Sequence, residues 1–153
     1  MIAGRLFECR IKTKAMVQGK DLPQTVTQKY LVDALTHSEA EATIIEETQP
    51  YSAGPVDVER IVKAHYSELF LNDELGGNDK FYRVKIVFII YNDKTDTEKK
   101  TPSSFLVQGD SLENALKFFK EQMKGTMGDW EIVSISETQI EEVFLYKKKK
   151  DNE

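Results

Sequence analysis

The chain has 153 residues, with 21 Lys plus Arg against 26 Asp plus Glu, a formal charge of -5, 40% hydrophobic and 31% charged residues. These proportions belong to an ordinary folded protein and exclude collagen-like, disordered and disulfide-scaffold chains. A chain of this length buries about 70% of its unfolded surface, so its core needs neither a metal nor a disulfide. The single cysteine, Cys9, excludes an intrachain disulfide and fits a reducing compartment. The stretch Met1 to Glu8 has no apolar run of signal-peptide length. The longest apolar run, Ile86 to Tyr91, is six residues, whereas a membrane helix needs about 20. The expectation is a soluble, cytoplasmic protein with no membrane segment.

In chain order, Phe7, Cys9, Ile11, Thr13, Ala15 and Val17 alternate with Glu8, Arg10, Lys12, Lys14 and Met16. A period of two predicts a strand with one buried face. Gln18 to Asp21 reads as a hairpin turn, and a second strand is expected from about Thr25 to Ala34. Thr36 with Glu39 has the form of a capping box, which opens a helix. Ala40, Ile44 and Ile45 form its apolar stripe, and Pro50 follows its end. Val56 to Phe70 reads as extended, as one strand or two short ones. Asn72 to Asp79 is rich in turn formers and reads as a linker.

The same succession then recurs. Tyr82, Val84, Ile86, Phe88 and Ile90 make a strand, apolar on both faces from Ile86 and therefore more central. Asn92 to Asp96 turns the chain, and Lys99 to Gly109 returns as a strand. Ser111 caps a second helix in which Leu112, Ala115, Leu116, Phe119 and Met123 share one face. Gly125 suits its C-terminal stop, and Trp130 to Tyr146 is extended. Tyr30-Leu31-Val32 aligns with Phe105-Leu106-Val107 at an offset of 75 residues, and Phe7, Cys9, Arg10 and Ile11 fall on Tyr82, Val84, Lys85 and Ile86. After one missing residue the offset is 74, and Val58, Ile61, Leu69 and Phe70 fall on Ile132, Ile135, Val143 and Phe144. The expected architecture is α+β: an internally duplicated ββαβ unit, or ββαββ, mainly antiparallel, with two helices packed on sheet. Its halves are residues 1–75 and 76–146, followed by a basic tail, 147–153, that reads as a solubilising end that frays in water or, as the alternative, a mobile phosphate-binding tail.

Chemistry-bearing clusters are scarce. His37 and His65 stand 28 positions apart with no CxxC, HxxxH or HExxH pattern, which is not the spacing of a metal site. Cys9 reads as a small buried hydrophobe on a strand. Gly76-Gly77 lies in the linker, and Gly125 with Gly128 sits between helix and strand, whereas a phosphate loop opens a helix after a strand. Pairs such as Glu46-Glu47 and Glu141-Glu142 read as solvated faces, because catalytic carboxylates need a shared cleft and shifted pKa values. No catalytic residue, cofactor or metal ligand is assigned, and an enzyme is the least supported class.

The basic residues carry more. Arg10, Lys12 and Lys14 share the polar face of the first strand, and Arg83 and Lys85 that of its counterpart; Lys29 lies in the second strand. By parity Phe81 and Tyr91 join Arg83 and Lys85. Cations that meet phosphates beside rings that stack on bases are how sheet faces hold single strands. Lysines on a strand face also serve as plain solvated or edge residues.

Several phrases carry a resemblance: Tyr30 to Thr36, Ser38 to Ala42, Val62 to Phe70, Met123 to Met127 and Ile135 to Thr138. Across nearly the whole chain the sequence resembles an uncharacterised family of short proteins, a domain of unknown function, from Bacteroides-type bacteria and their phages. The resemblance implies a cytoplasmic protein and brings no catalytic residues. The leading expectation is a non-enzymatic binder of single-stranded DNA or RNA in a bacterial or phage DNA-processing context. The candidate residues are Arg10, Lys12, Lys14, Lys29, Phe81, Arg83, Lys85 and Tyr91. The alternative is a protein-interaction or assembly module whose exposed sheet edges accept a protein partner or a second copy.

Overall fold

The computed structural model describes residues 5–72 and 77–146. The centre of the expected linker and the basic tail, 147–153, lie outside the described residues. Eight strands and two α-helices follow one another: β1 (Arg5–Ala15), β2 (Gln24–Ala34), α1 (His37–Thr48), β3 (Asp57–Lys63), β4 (Glu68–Phe70), β5 (Lys80–Asn92), β6 (Thr97–Gly109), α2 (Leu112–Gln122), β7 (Asp129–Glu137) and β8 (Ile140–Phe144). The class is α+β. Among the described residues no helix is long and apolar enough to cross a membrane.

The strands form two four-stranded sheets, ordered β3-β1-β2-β8 and β4-β6-β5-β7. Most neighbours are antiparallel, but β8 runs parallel to β2, and β4 runs parallel to β6. The contacts group residues 5–64 with 139–146 as a first compact unit and residues 65–138 as a second. This grouping differs from the linear halves. The extended segment after each helix is two strands, and the second of them completes the sheet of the other unit. Thus β4, from 1–75, closes the second unit, and β8, from 76–146, closes the first.

Local chemistry accounts for the elements. Thr36 and Ser111 have extended backbones and accept the Glu39 and Asn114 N–H groups at 3.1 Å each, which starts each helix. The buried stripes are Ala40, Ile44 and Thr48 on α1 and Ala115 and Phe119 on α2, continued by Met123 at the C-cap of α2, each at spacing i, i+4, i+8. Ile45 was expected on the α1 stripe but is exposed; Thr48 is buried on the stripe, its hydroxyl donating to the Ile44 carbonyl at 2.6 Å. At the end of β6, Gly109 lets α2 approach closely, for a Cβ there would lie 3.0 Å from the Ala115 Cβ.

Each unit has its own core. In the first, Phe7, Cys9 and Ile11 of β1 and Val32 of β2 pack under Ala40 and Ile44. In the second, Tyr82, Val84, Ile86, Phe105 and Val107 pack under Phe119. The closing strands are held by rings: Phe70 of β4 stacks on Phe105 with centroids 5.3 Å apart, and Phe144 of β8 stacks on Tyr30 at 5.4 Å. Phe119 adds edge contacts to Phe105 at 5.4 Å and to Trp130 at 5.8 Å.

Two outcomes follow from this arrangement. Fragments 1–72 and 77–153 expressed separately each lack the closing strand of their sheet, so each alone should give a collapsed or aggregated NMR spectrum, and mixing them should restore the native one. Two fragments that fold as independent monomers would show that the closing strands are dispensable. Cys9 has no exposed surface; burial, then the neighbouring Glu8 charge, push its thiol from 9.0 up to about 12. At pH 8 it should resist Ellman's reagent until the protein unfolds. The raised value also means that its contribution to stability is complete below pH 9 and is lost as pH climbs toward 12.

Candidate nucleic-acid interface

The two sheets match in register as well as in order. On β1, Arg10 lies between Lys29 of β2 and Arg60 of β3; on β5, Lys85 lies between Ser104 of β6 and Ser134 of β7. The ladder slips at the equivalent place in each sheet, between Arg10 and Ile11 and between Lys85 and Ile86. Each slip leaves one residue with no partner across the ladder: Glu59 on β3 and Val133 on β7. A bulge of this kind bends its strand and re-aims a side chain.

In the first unit the bulge presents a carboxylate to the basic face. Glu59 bridges Arg10 Nε at 3.1 Å and Lys12 Nζ at 2.9 Å. The hydrogen bond from Lys12, with the charges of Lys12 and Arg10 and the hydrogen bond from Arg10, holds the Glu59 carboxyl below its ordinary value, while desolvation works against them. Lys29 Nζ lies 3.7 Å from Glu8, and Lys14 Nζ donates to Thr25 Oγ1 at 2.6 Å. Each of the four cations expected here is therefore engaged. Arg60 joins them from β3 at the edge of a shallow depression of about 210 Å³ that Glu8, Arg10 and Lys29 also line. Such exposed ion pairs add little stability, but they set what charge remains on offer.

In the second unit the equivalent positions are different. Arg83 stands where the first unit has Glu8, and the bulge presents Val133, which is 57% exposed, instead of a carboxylate. Arg83 and Lys85 are exposed, and among the described residues neither makes an ion pair. The Arg83 guanidinium lies over the Tyr66 ring, 5.5 Å from its centroid, a cation–π contact. Lys85 is flanked across the sheet by the hydroxyl residues Ser104 and Ser134.

Of the two aromatic candidates, Phe81 does not join this face as expected. Phe81 is only 4% exposed and presents no free ring; its carbonyl accepts the Thr138 N–H and hydroxyl at 2.8 Å each. Parity assigned it to the polar side, but that side is itself covered at the Phe81 end of β5. Tyr91 is exposed near the β5–β6 turn, and its hydroxyl donates to the Asp96 carboxylate. Tyr66 is the ring that sits beside Arg83. It was missed because its segment has no clear alternation. Glu59 was legible in principle, since it falls on Val133 at the 74-residue offset, and Arg60 becomes visible only with the register.

Elsewhere, His37 in the first turn of α1 meets Phe7 edge-on with centroids 6.2 Å apart, and His65 is exposed. Among the described residues no three His, Cys, Asp or Glu side chains gather in a way that would hold a metal ion.

The fold and these faces define an α+β protein of two mainly antiparallel four-stranded sheets, each packed by one helix and each carrying cations on a central strand. The chain belongs to the family described as Domain of unknown function (DUF4494), whose model matches residues 5–146. No curated protein and no solved structure matches it.

The Glu59 bridge has a definite pH signature. Because its carboxyl is held low, the bridge is intact above the ordinary carboxylate range and is lost as pH falls through the lowered value. In an acid titration followed by carboxyl NMR, Glu59 should protonate later than the unpaired surface glutamates, and Lys12→Ala should shift it back toward them. A wild-type midpoint level with the other glutamates would dissolve the bridge.

Proposed function

We propose that the protein is a non-enzymatic, cytoplasmic binder of single-stranded nucleic acid, and that the sheet face of the second unit makes the principal contact. One observation carries the reading: Arg83 and Lys85 are exposed cations that, among the described residues, have no carboxylate partner, and the Arg83 guanidinium lies over the Tyr66 ring. Free cations meet phosphates at little cost, whereas a cation already bridged must first give up its partner. A ring beside them supplies a face for a base. The net charge of -5 does not oppose this, because a strand responds to the local field of the face. The bacterial or phage DNA-processing context rests on the resemblance of several segments to short proteins of Bacteroides-type bacteria and their phages. The bulge at equivalent positions of both sheets supports the reading of the chain as an internal duplication.

Partner-strand addition at a sheet edge is the weaker reading. Of the four terminal strands, β3 and β7 each carry a bulge and several charged side chains, the devices that discourage edge pairing.

Fluorescence anisotropy with a labelled oligo-dT tests the proposal. Binding should weaken with salt with a slope of about -0.7 per phosphate contact in a log–log plot. Replacing Arg83 and Lys85 by serine together should cost roughly tenfold in affinity and remove about 1.4 from that slope. Replacing Arg10 and Lys12 by serine should cost much less, because Glu59 already engages both. Unchanged affinity in the Arg83/Lys85 variant would remove the proposed face, and a larger loss in the Arg10/Lys12 variant would move it to the first unit.

A further inference from the structure

The first unit contains a cavity of about 410 Å³ on the side of the sheet opposite the basic face, within the size range of small-ligand sites, roughly 300–1,000 Å³. It lies where α1 ends before it has covered the whole sheet. Thr13 of β1 and Gln28 of β2 form its floor, linked by a 3.1 Å hydrogen bond from the Thr13 hydroxyl to Gln28 Oε1. One wall is the stacked pair Tyr30 and Phe144. The end of α1 contributes Glu47, and the short 3₁₀ turn that follows, Gln49–Tyr51, brings Tyr51, which is 86% exposed. From β8 comes Glu142.

The chemistry of this lining is one-sided. It holds two carboxylates and three aromatic rings, and among the described residues no Lys, Arg or His lines it. The Tyr30 hydroxyl makes no hydrogen bond among the described residues yet is not a buried unsatisfied group, so it is open to whatever fills the cavity. Burial, and then the charges of Glu141 and Glu142, push the Tyr30 phenol up from its ordinary value, which places the carboxylate field at the ring wall. Carboxylates beside aromatic faces attract an organic cation twice, through direct charge and through the ring quadrupoles. A phosphate or a carboxylate ligand would be repelled.

We propose that the cavity lined by Tyr30, Tyr51, Phe144, Glu47 and Glu142 is a binding site for a small organic cation, an ammonium or guanidinium group on a short apolar body. The site is separate from the nucleic-acid reading, for none of its lining residues belongs to that face. Such a group comes either from a free small molecule or from a Lys or Arg side chain of another protein.

Choline and Nα-acetylarginine methylamide, titrated separately into the full-length protein and followed by amide NMR, test the site and distinguish its sources. At least one should give saturable shifts centred on Thr13, Gln28, Tyr30 and Phe144; preference for choline points to a free ammonium, preference for the arginine amide to a side chain. For choline the neutral isostere 3,3-dimethyl-1-butanol should bind about tenfold more weakly, as expected where charge and ring faces act together. Glu142→Gln and Tyr51→Ala, both at exposed positions, should each weaken the preferred cation severalfold with the rest of the spectrum unchanged. No saturable shift at these residues with either cation would overturn the proposal. So would binding of the alcohol as tight as choline, or variants that bind the cation as well as the wild type.

Discussion

Each sheet is completed by a short parallel strand that the other half of the chain delivers, and a ring stack fastens it. Phe70 on Phe105 and Phe144 on Tyr30 are the same contact made twice, with centroids 5.3 and 5.4 Å apart. Parallel neighbours cannot be joined by a tight turn, so the chain must travel before it can supply them. Here β4 comes in the chain before β5 and β6 of the sheet it closes, and β8 comes after every other strand. The strands that do this are only three and five residues long. A three-residue ladder supplies few hydrogen bonds, and the stacked rings provide much of what holds each strand in place. The cost of leaving either strand undone would fall on the core beside it, since Phe70 and Phe144 both pack against buried residues.

The bulges turn this shared frame to different uses. Both sheets slip by one residue at the same place, beside Arg10 in one and Lys85 in the other. The slip sends a side chain onto the polar face, and its identity sets the electrostatics there. Glu59 binds Arg10 and Lys12 into a local network; Val133 does nothing of the kind, and among the described residues Lys85 makes no ion pair. The substitution of Arg83 for Glu8 at the next equivalent position works in the same direction. Two faces with the same backbone thus differ in how much positive charge they leave available, and the difference rests on two residue choices.

Much of the architecture could be read from residue order because it depends on local rules. Alternation from Phe7 to Thr13 marked a half-buried strand, and those odd-numbered residues are buried. Thr36 and Ser111 marked the helix starts because a hydroxyl there satisfies free N–H groups, a contact spanning three residues. Phe81 shows where such rules stop. Parity gives the side of the strand on which a ring lies, but it carries no information about what covers that side. Ile45 shows the same limit on a helix: two adjacent isoleucines cannot both face a narrow stripe, and the packed sheet selects Ile44. Of the candidate interface, the cations on β1 and β5 were legible, while Tyr66 was not, because its place beside Arg83 is made by a pairing between segments far apart in the chain.

By itself the sequence determined the α+β class, the positions of both helices and of the first two strands of each half, the order of the repeated pattern and the positions of the basic residues on their strands. All of these are set by spacing within about a dozen residues. The tertiary structure alone decided which sheet each closing strand joins, where the ladders slip, which cations are already paired and where α1 leaves part of its sheet uncovered. Those outcomes depend on strand register and on contacts between segments tens of residues apart, and periodicity along a chain is the same whichever partner a strand finds.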